Sequence, residues 1–167
     1  LGRVSFRDTR RKREYIASGR HGVSWLYQSR LAAEREHHAL TLAYNAGVSV
    51  PKPIYQNRHT VVMQRIEGRQ LSEVIEIDDP DMLLDEILVN VHKAYKAGII
   101  HADLSEFNIV VSEENKAYII DWPQYIPLSH PNAEETFERD VKNVLVYFRR
   151  KFGTDRKLED VLEAVRL

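Results

Sequence analysis

The chain has 167 residues, 29% of them charged and 43% hydrophobic, with a net charge of −1 and no cysteine. That length suffices for one ordinary domain burying roughly two-thirds of its unfolded surface, so folding needs neither disulfides nor a structural metal. Without thiols there is no disulfide framework and no thiolate metal site, and no apolar run approaches the roughly 20 residues of a membrane span; a reducing, cytoplasmic setting with no membrane contact is expected.

The charge is unevenly spread. Residues 1–30 hold eight Lys or Arg against Asp8 and Glu14, a surplus of +6 that leaves −7 on the remainder. A basic arm on an acidic body suits a phosphate-rich partner such as RNA or a nucleotide. It is equally the pattern of a solvated, partly disordered charge run. Residues 1–22 show little periodicity and are expected to form a flexible arm. The chain begins with Leu in mid-pattern, as a segment of a longer protein would.

From Ser24, a good N-cap, helical spacing runs through Trp25, Leu26, Leu31, Leu40 and Leu42 to Gly47. Val50–Tyr55 and Thr60–Ile66 then alternate as a hairpin around Gln56–Asn57–Arg58, with Pro51 and Pro53 confining the first strand to an edge. Asp79–Pro80 predicts a second helix, which Gly98 ends, with Leu83, Leu84, Ile87, Leu88, Val91 and Tyr95 on one face. Strands at Ile109–Ser112 and Ala117–Ile120 flank a polar turn at Glu113–Asn115. Beyond Pro131, Phe137, Val141, Val144, Phe148 and Phe152 mark a third helix closed by Gly153, and Leu158, Val161, Leu162 and Val165 a short terminal one.

The chemistry concentrates in IIHADLSEFNIVV, Ile99–Val111. Asp103 is followed five residues later by Asn108, and Asp121 comes thirteen residues after that. This is the H-x-D-x-x-x-x-N spacing of a kinase catalytic loop, then a short hairpin, then a metal-binding Asp. Phosphoryl transfer needs a carboxylate to orient the acceptor hydroxyl and take its proton, the role of Asp103. It also needs hard oxygen ligands for magnesium, the roles of Asn108 and Asp121. Singly, each residue is an ordinary turn former or strand-end cap. His101 in such a loop is a buried brace, not a catalyst. Conventional kinases have Arg where Ala102 stands, and Phe-Gly where Trp122-Pro123 follows Asp121. The Arg normally answers a phosphorylated activation segment, so control without such a segment is implied.

HADLSEFNIVV, YIIDWPQ, SHPNAEETFERDVKNV, VSWLYQSRLAAERE and VPKPIYQNRHTVVMQRIEG together resemble the RIO family of atypical serine/threonine protein kinases, in its second, winged-helix-bearing subfamily, across essentially the whole chain. The resemblance implies an α+β, protein-kinase-like fold. Residues 1–22 would be the basic arm, 23–66 a partial N-lobe (helix C, an edge hairpin and the hinge strand), and 67–167 a reduced C-lobe without an activation segment. It places Glu36 as the helix-C glutamate that pairs with an ATP-binding Lys, Met63 as gatekeeper, and the backbone of Gln64 and Ile66 against adenine. The plain readings of those positions are a surface helix charge and strand core. Ser105 stands where conventional kinases have Lys, and Arg139 and Asp140 are expected to brace the C-lobe.

ATP and magnesium are the implied cofactors, with Asp121 a transient aspartyl-phosphate site. A pre-small-ribosomal-subunit particle, its rRNA and ribosomal proteins, is the implied partner of a monomeric protein. Ser5, Thr9 and Ser18 would lie in an autophosphorylated loop. No G-x-G-x-x-G and no strand Lys precede Glu36, since Lys12 sits among charges in the arm. The chain alone is therefore expected to bind ATP weakly. An aminoglycoside- or choline-type phosphotransferase and a non-catalytic pre-ribosome assembly factor are the rival readings.

Overall fold

The structure is a computed structural model that describes residues 25–167. The basic arm, with Lys12, Ser5, Thr9 and Ser18, and the Ser24 cap lie outside the described residues. Helix α1 spans Trp25–Asn45. Its Ala33, Ala39, Leu40 and Ala43 are buried at helical spacing. Gly47 then adopts φ +76°, and the amide of Val48 reaches back to the Ala43 carbonyl at 3.0 Å, closing the helix as a left-handed C-terminal motif does.

The hairpin is shorter than its sequence pattern predicts. Strand β1 is Pro53–Asn57 and β2 is Thr60–Met63, antiparallel, with a register break between Pro53 and Tyr55. Pro51 and Pro53 have no amide to donate, so before the break the Gln64 amide bonds to the Lys52 carbonyl at 2.9 Å and the Lys52 amide reaches Gln64 Oε1 at 3.4 Å. The turn falls at Arg58–His59, not Gln56–Asn57–Arg58, and Arg58 takes the left-handed φ of +48°. After Met63 the chain leaves this ladder at Gln64–Glu67 and enters a second sheet as β3, Gly68–Gln70, which no alternation in Gly-Arg-Gln announces. A Cβ at Gly68 would lie 2.3 Å from the Val111 carbonyl oxygen, so only glycine permits this strand approach.

A 3-10 turn, Leu71–Glu73, leads to helix α2, Pro80–Lys96. The Asp79 side chain caps α2 by accepting the Met82 amide at 2.9 Å, Pro80 sits in its first turn, and Gly98 at φ +82° follows its end. Strand β4, Ile99–Ile100, pairs with β7, Ile126–Pro127, in a small ladder too short for the sequence to signal. Strands β5 (Ile109–Ser112) and β6 (Ala117–Ile119) form the expected hairpin, with β5 central in the order β3-β5-β6.

Helices α3 (Ala133–Phe152) and α4 (Leu158–Arg166) complete the chain, with acidic first turns and basic last turns that suit their dipoles. Gly153 ends α3 at φ +76°. Leu84 and Ile87 of α2, Ile109 and Ile119 of the hairpin, and Phe137, Val141 and Phe148 of α3 form one core that Ala39 and Leu40 of α1 join. Burying Phe137 and Phe148 stabilises the fold by roughly 1.5–3 kcal/mol each. Among the described residues no helix is long and apolar enough to cross a membrane.

Candidate active site

The loop between β4 and β5 is held from three sides. His101 is buried, and its Nε2 lies 2.9 Å from the Ile120 carbonyl while the Asp103 amide approaches Nδ1 at 3.3 Å. The Asp103 amide can only donate, so Nδ1 accepts and Nε2–H donates. This neutral tautomer ties the residue before Asp121 to the loop carrying Asp103. Burial lowers the His101 pKa to about 4, so the ring stays neutral at physiological pH. Its ring packs at 4.6 Å against Trp122, which is fully buried and donates Nε1–H to the Ile119 carbonyl at 3.1 Å. The expectation of a bracing histidine is met by this geometry.

From below, α3 grips Ala102. Asp140 accepts the Ala102 amide at 2.7 Å, and Arg139 donates to the Ala102 carbonyl at 2.6 Å and to Asp140 at 3.3 Å. Ala102 has φ +69°, a strained conformation for a residue with a Cβ, and two hydrogen bonds to the same residue over-determine it. Asp140 is buried and its pKa rises to about 6, since burial outweighs the Arg139 charge and the Ala102 and Leu104 amides that favour the anion. Arg139 and Asp140, expected to brace the C-lobe, hold this loop through Ala102. The remaining anchors have no sequence signal, because they meet backbone: Asn143 donates to the Leu104 carbonyl at 3.3 Å, Gln70 to the Phe107 carbonyl at 2.5 Å, and the Ser72 amide to the Glu106 carbonyl at 3.1 Å.

So held, the loop presents Asp103 to solvent. Asn108 is buried and donates Nδ2–H to the Asp103 carbonyl at 2.8 Å, which leaves Oδ1 uncommitted among the described residues. The Ile120 amide bonds to the Asn108 carbonyl at 2.9 Å, so Asn108 and Asp121 sit at the same end of the β5–β6 hairpin. Asp121 takes φ +65°, which an Asp tolerates better than most residues. Its carboxyl pKa is raised, first by burial and then by the negative charge of Asp103. Among the described residues no three His, Cys, Asp or Glu form a metal cage. One carboxylate and one amide oxygen beside a second carboxylate instead fit magnesium, which keeps waters and substrate phosphates among its ligands.

The other expected site residues lie on α1 and after β2. Glu36 stands on the core-facing stripe between Ala33 and Leu40, half-buried. Its pKa is pushed up to about 7 by burial and then by the charge of Asp121, so α1 brings it within electrostatic reach of Asp121. No cation pairs with it among the described residues. Met63 is half-buried against the core. Gln64 is exposed and Ile66 half-buried; the Gln64 carbonyl and both backbone groups of Ile66 have no hydrogen-bond partner among the described residues. Such an open edge can pair with a planar heterocycle.

One residue that sequence reasoning missed joins the two halves. Arg35 donates Nε–H to the Pro123 carbonyl at 3.1 Å and a terminal N–H to the Tyr125 carbonyl at 2.6 Å. An Arg on a helix reads as a surface charge when its partners are carbonyls 88 and 90 positions away.

Residues 1–161 match the family model described as the RIO domain. The chain is 42% identical over 165 residues to the RIO-type serine/threonine-protein kinase Rio2 of Methanocaldococcus jannaschii, covering 96% of this chain and 60% of that protein. It is 42% identical over 160 residues to serine/threonine-protein kinase RIO2 of Caenorhabditis elegans, covering 96% and 30%. The crystal structure of the Rio2 kinase–ADP/Mg2+–phosphoaspartate complex from Chaetomium thermophilum superposes with a TM-score of 0.75 at 35% identity, over 98% of this chain and 52% of that one. The chain thus spans between 30% and 60% of the length of these relatives. With a protein-kinase-like fold, a braced H-x-D-x-x-x-x-N loop and a family match over nearly its whole length, the chain belongs to the RIO family, among the relatives of its RIO2 kinases.

Proposed function

We propose that this chain carries the catalytic loop of an ATP-dependent serine/threonine kinase or ATPase of the RIO2 type. The single observation that carries the reading is the convergence of Asp103, Asn108 and Asp121 at one end of the β5–β6 hairpin, where Asp121 feels the negative charge of Asp103. Excess negative charge at a site of hard oxygen donors favours a divalent cation and a polyphosphate.

Asn108 Oδ1 and the Asp121 carboxylate would hold magnesium, which would supply positive charge to offset the triphosphate. The Asp103 carboxylate orients an acceptor hydroxyl or water and takes its proton. An Asp121 oxygen can itself attack the γ-phosphorus: the bond to the β-phosphate oxygen breaks, ADP leaves, and an acyl phosphate remains that water hydrolyses to inorganic phosphate. The solved Rio2 relative is an ADP/Mg2+–phosphoaspartate complex, which supports that route. The unbonded edge of Gln64 and Ile66, behind Met63, receives adenine, and Glu36 pairs with a cation supplied from outside the described residues. A partial N-lobe at 23–66 and a C-lobe at 67–167 follow from these roles. A pre-small-ribosomal-subunit particle is the proposed partner and the cytoplasm the proposed site of action.

Magnesium-dependent ATP turnover of the full-length protein tests this. Asp103→Asn should reduce it by roughly 10²–10⁴-fold, and Asp121→Asn should abolish it at any magnesium concentration. Unchanged turnover in Asp121→Asn would overturn the metal assignment, and absence of turnover in the unsubstituted protein would favour a non-catalytic assembly factor.

A further inference from the structure

We propose that Arg35 is a positioning residue, a clamp that fixes helix α1 to the segment following Asp121 and so sets the distance between Glu36 and the metal-side carboxylate. The proposal rests on the phosphoryl-transfer reading above. The guanidinium makes two hydrogen bonds to carbonyls two residues apart, Pro123 at 3.1 Å and Tyr125 at 2.6 Å, and its carbon lies 5.2 Å from the centre of the Tyr125 ring. A planar fork on two acceptors and a ring fixes orientation as well as distance, which a point charge cannot do. The anchor is itself rigid. Trp122, between Asp121 and Pro123, is fully buried against His101, and β7 begins at Ile126.

The helix needs such a tie at this level. Its C-terminal half is packed through Ala39, Leu40 and Ala43, whereas Trp25, Leu26, Tyr27 and Leu31 of its first turns are exposed. Glu36 lies between these regimes, half-buried. Among the described residues, Arg35 next to it ties α1 to the segment after Asp121 at this level. The His38 ring, 6.1 Å from the Tyr125 ring, adds a weaker contact on the same side. In a conventional kinase the chain after the metal Asp is a movable segment. Here Trp122 and Pro123 lock that segment, and Arg35 uses it as a fixed post.

The expected consequence is a split between kcat and KM. The proposed adenine edge at Met63–Ile66 lies at the end of β2 and just beyond it, held by β2's own ladder to β1, so removing Arg35 should leave KM for ATP within about twofold while kcat falls by roughly 10–100-fold, the cost of a misplaced catalytic group. Arg35→Ala, Arg35→Lys and the control Arg30→Ala are compared in the full-length protein with Asp121→Asn alongside. Among the described residues Arg30 pairs with the neighbouring Glu34 on the exposed side of α1, so its loss should change neither constant. Arg35→Lys should recover part of kcat, because one ammonium can meet one carbonyl. Unchanged kcat in Arg35→Ala with a dead Asp121→Asn would overturn the clamp alone. Full recovery of kcat in Arg35→Ala on cooling below its melting transition would overturn it too, since the loss would then be one of folding. Unchanged turnover in Asp121→Asn would instead remove the reading on which the clamp rests.

Discussion

Around Asp103 and Asp121 the molecule is closed on itself, whereas around Glu36 and the Met63–Ile66 edge it is open. On the closed side His101, Asp140, Trp122 and Asn108 are buried and each side chain is engaged by at least one backbone partner. On the open side Glu36 has no cationic partner among the described residues, and the edge at Gln64 and Ile66 has unbonded backbone groups. The loop geometry is thus set by the fold itself, while the open side leaves a carboxylate and backbone groups without partners among the described residues. Preorganisation of this kind places developing charge against fixed groups.

The strongest way to break the contrast is to open the closed side. Asp140→Ala leaves the buried Ala102 and Leu104 amides without their acceptor and releases a left-handed alanine, which should cost roughly 3 kcal/mol; Asp140→Asn keeps one acceptor oxygen and should cost less. Urea unfolding at neutral pH checks both, and equal stability of Asp140→Ala and the unsubstituted protein would contradict the brace.

Acid tests the same side more gently. His101 has a depressed pKa, so the folded state binds its proton less readily than the unfolded chain. Its contribution is fully present above about pH 6.5 and is lost as pH falls toward about 4. Glu36 and Asp140 have raised values and act in the opposite sense, gaining as pH falls through about 7 and about 6. Comparison with His101→Gln cancels those terms: the stability advantage of the histidine at pH 7.5 should shrink by ~2 kcal/mol at pH 4.5. An advantage that does not change with pH would contradict the buried neutral ring.

The open side should respond with the opposite sign. Glu36→Gln removes an uncompensated carboxylate and should raise stability by about 1 kcal/mol above pH 7, an effect that fades on acidification as Glu36 itself protonates, while turnover falls. Destabilisation by this substitution would mean that Glu36 is already paired.

What could be read in advance follows the same divide. The Asp103, Asn108 and Asp121 spacing is local, and apolar runs flanking a polar turn mark the hairpin between them, so the sequence pattern predicts their closeness. Helices α2 and α3 announce themselves by caps and apolar spacing. By contrast, β3 and the β4–β7 pair are two or three residues long and owe their existence to tertiary packing, Gly68 beneath Val111 above all. The β1–β2 hairpin is short because two prolines withhold donors. Arg35 was invisible for another reason: its partners are backbone carbonyls, which no residue type encodes.

Asp121 carries the heaviest assignment, as both magnesium ligand and phosphoryl acceptor, and one labelling measurement tests it most directly. Radiolabelled γ-phosphate from ATP should enter the protein in a magnesium-dependent, hydroxylamine-labile form, as an acyl phosphate does, and the label should vanish in Asp121→Asn while persisting in Arg30→Ala. A hydroxylamine-labile label that survives Asp121→Asn would contradict the assignment.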